Sequence, residues 1–138
     1  QLSTGKVIGG YTPLSWKGTE RFEEDPSRSS FLFSLTNQFK HSLIENPPGD
    51  KRGSPGWKYA IRPSVHYCPI MGWSYDFKWS HYEGTIHNRV KLGWSYQCRI
   101  GGKNMQNCQN DFAGSAEKWG VTEWEMYYHS RAMKIETG

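Results

Sequence analysis

Apolar and polar positions in this chain alternate over short runs, and no stretch keeps the three-and-four spacing of a long amphipathic helix. Residues 6–12, KVIGGYT, read as a strand broken by a Gly-Gly pair. Glycine inside a strand marks a bulge, or a place where another backbone or a ring packs close. Residues 31–37, FLFSLTN, have almost no polar face at their start and read as a central strand buried on most sides. YAIRPSVHY, 59–67, is the next strand candidate, with Pro63 pointing to an edge or a bulge. YDFKWSHYE, 75–83, alternates aromatic and polar residues, as a half-buried strand does. VKLGWSYQC, 90–98, repeats that pattern, and EWEMYYHSRAMKIE, 123–136, predicts a long final strand or strand pair. The single helical expectation is a short one around AGSAEKW, 113–119. Residues 17–30 and the Pro/Gly-rich stretch 45–57 read as exposed loops, the second as the more flexible.

Composition agrees with the pattern. Seven Trp, eight Tyr and six Phe accompany 15 Gly and seven Pro, which favours strands and turns over helices. The 138 residues fit one domain, 1–138, large enough for a true core. The expected class is therefore mainly β (α+β), an antiparallel fold with a few short helices. The formal charge is +4, with Lys51-Arg52 the only adjacent basic pair. Nucleic-acid binding normally needs a clustered basic stripe, so it is not expected. No run of 18 apolar residues exists, so no membrane span is expected. The chain opens on Gln1 without a Met, which reads as a processed terminus.

The residues that could carry chemistry are few. No P-loop, Rossmann glycine pattern, Gly-x-Ser-x-Gly or His-Glu-x-x-His occurs. His66 and Cys68 are two apart and would share a strand face, but ordinary packing is the commoner reading. His81 and His87 with Asp76 or Glu83 would suit a metal, and solvated loop histidines are commoner. Glu123 and Glu125 are read as a solvated strand face, and Glu23-Glu24-Asp25 as a solvated acidic run. No catalytic residue, metal or cofactor is expected. Cys98 and Cys108 flank a Gly/Asn-rich stretch that could close as a small disulfide loop, with buried thiols as the alternative. A short echo, GWKYA, GWSYD and GWSYQ, recurs from residues 56, 72 and 93. It reads as repeated strand starts, with sugar stacking the less common alternative. The exposed surface candidates for binding are Trp73, Tyr75, Trp79, Trp94 and Tyr96.

GGYT at 9–12, Trp16, Asp25 and FLFSLTN at 31–37 resemble, in that order and at that spacing, the TLDc domain family. Counterparts of later segments are Cys68-Pro69-Ile70-Met71-Gly72, Asp76-Phe77, Leu92-Gly93-Trp94-Ser95-Tyr96, Ala113-Gly114-Ser115 and Trp124-Glu125-Met126-Tyr127. Cys68 stands where the family has glycine and Met71 where it has phenylalanine, and the family's amino-terminal helical portion has no counterpart here. The resemblance implies a two-sheet antiparallel β-sandwich. It gives Gly9, Gly10, Tyr11, Trp16, Phe31, Phe33, Gly93, Gly114 and Glu125 structural roles. In that fold the Gly-Gly pair would bend its strand to admit a close neighbour while FLFSL fills the space between sheets.

The expected function is a non-catalytic interaction module, a processed extracellular or matrix protein that assembles with a partner protein. One alternative is a secreted lectin-like protein that binds carbohydrate through exposed Trp and Tyr. Another, implied by the resemblance, is an intracellular oxidation-resistance protein that contacts the vacuolar proton pump and keeps its cysteines reduced.

Overall fold

The computed structural model describes residues 1–17, 19–45, 55–64, 70–73, 76–78, 81–82, 85–86, 88–100, 105–115 and 119–127. Among them, strands outnumber helices: eight short strands accompany one α-helix. Strands β1 (Ile8–Tyr11), β2 (Phe31–Ser34) and β3 (Phe39–Ser42) form an antiparallel sheet with β2 in the middle. Strands β4 (Ile70–Met71), β5 (Phe77–Lys78) and β8 (Arg89–Val90) form a second, with β5 central. Between β5 and β8 in the chain, β6 (His81–Tyr82) and β7 (Thr85–Ile86) make a separate hairpin.

The first sheet explains the glycine pair. Gly9 faces Phe33 and Gly10 faces Leu32 in the β1–β2 register. Period-two alternation sends Leu32 and Ser34 inward and leaves Phe31 and Phe33 half-buried on the other face. FLFSL is thus not buried on most sides, as its composition led one to expect. A Cβ on Gly9 would lie 2.4 Å from Phe33 Cζ, and one on Gly10 would lie 2.5 Å from Met71 Sδ. One glycine admits an aromatic ring on the outer face. The other admits a side chain arriving from the second sheet, so both glycines answer to close neighbours.

The core gathers Leu32, Ile61, Met71, Leu92, Tyr96 and Phe112 from both sheets, the loops and the helix. Burying a ring such as Phe112 contributes about 2–3 kcal/mol. Three expected elements differ from what is observed. The strand proposed for 59–67 begins instead in a 3-10 turn, Gly56–Tyr59, and Ile61 makes only an isolated bridge to Glu23. Residues 65–69 lie outside the described residues. The helix α1 occupies Met105–Ala113, not 113–119, and 116–118 are likewise not described. Its Asn/Gln-rich sequence has modest helix propensity. Tertiary contacts override it, because Cys108, Phe112 and Ala113 share a fully buried face. Gly114, at φ 82°, ends the helix with its N–H donating to Asn110 O at 2.9 Å.

Cys98 and Cys108 are joined as a disulfide across ten positions. Closing so short a loop contributes about 2–3 kcal/mol through the unfolded state. The described part of the expected final strand, residues 123–127, forms no strand among the described residues, and Glu123 exchanges backbone hydrogen bonds with Gln1. Trp124, Met126 and Tyr127 stand exposed along it. Among the described residues, no helix is long and apolar enough to cross a membrane.

Candidate binding site

A buried carboxylate organises the region. Asp76 precedes β5 and is wholly buried. Its Oδ2 accepts the backbone N–H groups of Trp94, Ser95 and Tyr96 at 3.2, 2.9 and 3.0 Å. Gly93, at φ 106°, closes the same turn by donating to Tyr96 O at 2.8 Å. These inward-facing amides cannot join a sheet ladder, which is why VKLGWSYQC forms a strand only as far as Val90. Burial pushes the Asp76 carboxyl up to about 7, against the opposing pull of the three amides. Among the described residues, Oδ1 has no hydrogen-bond partner.

The shift has a definite sign. Asp76 holds its proton more tightly folded than unfolded, so its contribution is fully present below pH 3.8 and is lost as pH rises to about 7. His41 and Asp25 slope the other way, because both are shifted downward. Comparison with Asp76→Asn isolates the effect: the stability of the natural protein relative to that variant should fall between pH 4 and 7 in urea titrations. A pH-independent difference would remove this reading.

Three echo segments meet at this turn. The Tyr96 hydroxyl donates to Ala60 O at 2.7 Å, beside Tyr59. Trp73 N donates to Ser95 Oγ at 2.9 Å. A Cβ on Gly56 would lie 2.4 Å from Ser95 O. The GWKY, GW and GWSY segments are therefore not strand starts; they are turns that pack against one another. Their rings form a continuous strip. Phe22 and Tyr59 meet edge to face at 5.5 Å, Tyr59 and Trp73 lie 6.3 Å apart, and Trp73 and Trp94 lie 5.5 Å apart. All four are half-buried. The Arg62 guanidinium sits 5.7 Å from the Phe22 ring at one end.

Of the five expected binding residues, the fold brings Trp73 and Trp94 together. Tyr96 is not a surface residue: it is 0% exposed, and its role is to fix the turn beneath the strip. Tyr75 and Trp79 lie outside the described residues. Tyr11 and Trp16 are exposed elsewhere, and Gly9, Gly10, Gly93 and Gly114 sit in the strand, turn and cap positions given above. Phe22 and Tyr59 were missed, although Tyr59 ends the first echo and so carried a signal.

The other titratable groups have structural surroundings. Asp25 is buried, not solvated. Burial raises its carboxyl, but hydrogen bonds from the side chains and backbone of Ser27 and Ser30 more than offset this and hold it below the usual range. His41 lies between Phe39 and Phe112, with Nδ1 2.7 Å from Gln97 O. Burial lowers its pKa and favours the neutral ring. Glu125 is exposed and accepts a hydrogen bond from Tyr127. Among the described residues, no three His, Cys, Asp or Glu side chains gather in a way that could hold a metal ion. His66, Cys68, Glu83 and His87 fall outside the described residues, as does the side chain of His81.

No family model, curated protein or solved structure matches this chain.

Proposed function

We propose that this chain is a non-catalytic, TLDc-like interaction module that assembles with a partner protein through the Phe22–Tyr59–Trp73–Trp94 strip. In this reading the two sheets face each other as a sandwich, and Met71 against Gly10 belongs to their contact. The observation that carries the functional reading is the convergence of three Gly-Trp segments on one Asp76-held turn. That arrangement places four half-buried rings on a bed whose backbone is fixed by hydrogen bonds. Rigid aromatic surface is a common source of binding energy at protein interfaces, because little side-chain entropy is lost on contact.

Ring geometry favours a protein partner over a sugar. Trp73 and Trp94 are inclined at 53°, and Tyr59 and Trp73 at 57°. Inclined rings leave wedges for apolar side chains, whereas a sugar ring stacks best on a flat face. The joined Cys98 and Cys108 support an oxidising, extracellular setting over the intracellular oxidation-resistance role.

Trp94→Ala should leave the fold intact, because its backbone N–H still reaches Asp76, while weakening partner binding at least tenfold, equivalent to about 1.4 kcal/mol or more. Affinity for a partner isolated with the natural protein, measured alongside near-ultraviolet circular dichroism, checks this. Unchanged affinity in a folded variant would move the interface elsewhere. Glycan-array binding abolished by the same substitution would favour the lectin-like alternative.

A further inference from the structure

The two edges of the first sheet differ. On the β3 edge, Ile44 N donates to Ser95 O at 2.8 Å, Gln97 N donates to Ser42 O at 2.9 Å, and Leu43 bridges to Tyr96. On the other edge, among the described residues, no strand pairs beyond β1. Leu35 N donates to Val7 O at 2.9 Å, which sets the alternation along the β1–β2 ladder. Val7, Gly9 and Tyr11 therefore turn their backbone groups toward β2, and Ile8 and Gly10 turn theirs outward. Gly10 is exposed, and with no side chain what it exposes is backbone. A sheet edge of this kind is normally guarded by charge, proline or a bulge. Ile8–Tyr11 carries neither charge nor proline, and its register with β2 runs unbroken. Lys6, just before the strand, is turned toward the β2–β3 turn, where its ammonium donates to Asn37 Oδ1 at 2.8 Å.

We propose that β1 is a dimer interface, pairing antiparallel with β1 of a second copy of this chain about a two-fold axis at Gly9. In that register Ile8 of each copy faces Gly10 of the other, and both pairs exchange N–H···O bonds. The edge complements itself. On the inner face, each Ile8 side chain meets a position that has none. On the outer face, Gly9 meets Gly9, and Val7 faces Tyr11, a β-branched–aromatic pair of the kind that stabilises sheets. Lys6 stands across from Thr12, so no like charges are opposed. A strand from another protein would need a small residue opposite Ile8, whereas this edge supplies that residue itself. The outer face adds apolar surface along the join. Tyr11 and Phe31 lie 5.3 Å apart between centroids, and Phe31 and Phe33 lie 6.0 Å apart. An isologous contact of this type closes at two copies, because each edge is used once. The dimer uses none of the Phe22–Trp94 strip and does not rest on the partner reading.

Sedimentation velocity of the full chain, from low-micromolar to near-millimolar concentration, with hydrogen exchange at both ends of the range, tests the proposal. The natural protein should pass from monomer to dimer. Exchange at Ile8 and Gly10 should slow by about tenfold or more in the concentrated sample, while the strip residues 93–96 stay unchanged. Ile8→Pro removes one outward N–H, which an edge strand tolerates, and should leave a monomer with its near-ultraviolet circular dichroism retained. Tyr11→Lys replaces an exposed side chain by an edge lysine and should weaken the dimer by about tenfold. A chain that stays monomeric throughout would overturn the interface. So would a dimer that protects residues 93–96 and leaves Ile8 and Gly10 unprotected, or protection of β1 that appears only when another protein is added.

Discussion

Asp76→Ala should be among the most damaging single substitutions in the described core, lowering stability by about 4 kcal/mol. Truncation removes one acceptor and strands three donors, the part-buried amide of Trp94 and the buried amides of Ser95 and Tyr96. Each unsatisfied buried amide costs roughly 1–3 kcal/mol, and partial entry of water keeps the total near the lower end of the sum. Asp76→Asn keeps an oxygen at the same place, so its cost should be about 1 kcal/mol near neutral pH. Urea unfolding of both variants beside the natural protein makes the comparison. Equal losses for Ala and Asn would show that negative charge, not the acceptor oxygen, is what the turn requires. A loss below about 1 kcal/mol for Ala would remove Asp76 as the organiser of the site.

Gly56→Ala should cost about 3 kcal/mol, the upper end for an overpacked core position. The added methyl would meet Ser95 O at 2.4 Å, Ile44 O at 2.9 Å and Ser95 Cα at 2.9 Å. All three are backbone atoms, so no side chain can swing away to relieve the clash. Either the 3-10 turn or the Asp76-held turn must shift, and the shift separates Tyr59 from Trp73. Gly120→Ala is the internal control: its methyl would meet only Ser3 Oγ, at 4.0 Å, and should be nearly neutral. Urea midpoints with unchanged slopes would show that the cost lies in the native state. A Gly56→Ala variant as stable as the Gly120→Ala variant would mean that the echo segments do not press on each other as described.

The residues that were legible in the sequence are those governed by local rules. β1 and β2 fall inside the expected strands because alternation and β-branched or aromatic content mark them directly. Gly-Gly was legible as a site of close approach, though not which neighbours approach. Met71 and Phe33 come from other strands, and nothing local announces them. The burial of FLFSL was misread because its two half-buried phenylalanines look as apolar as core residues. They belong to the outer face, where Phe33 covers Gly9. Helix α1 was hidden for a similar reason. Its polar residues hold little helix propensity, and the buried face of Cys108, Phe112 and Ala113 gains its value only once the sheets are in place. The echo at residues 56, 72 and 93 was visible, but its meaning was not. Periodicity says where a Gly-Trp pair falls, and only tertiary structure says that the three pairs share one carboxylate-centred turn. Tyr96 shows the cost of reading aromatics as surface: the same residue type in the same echo serves as a ring on display at Tyr59 and as a buried strut at position 96.

The central claim is that the Phe22–Tyr59–Trp73–Trp94 strip is where a partner protein binds. The most direct measurement is hydrogen exchange and chemical footprinting of the natural protein, free and in complex with a partner isolated from native extract. The prediction is protection of residues 22, 57–60, 73 and 93–96 on binding, with no change in residues 8–11 and 31–34. Protection confined to the outer face of the first sheet, or to the exposed segment 123–127, with the strip unchanged, would contradict it.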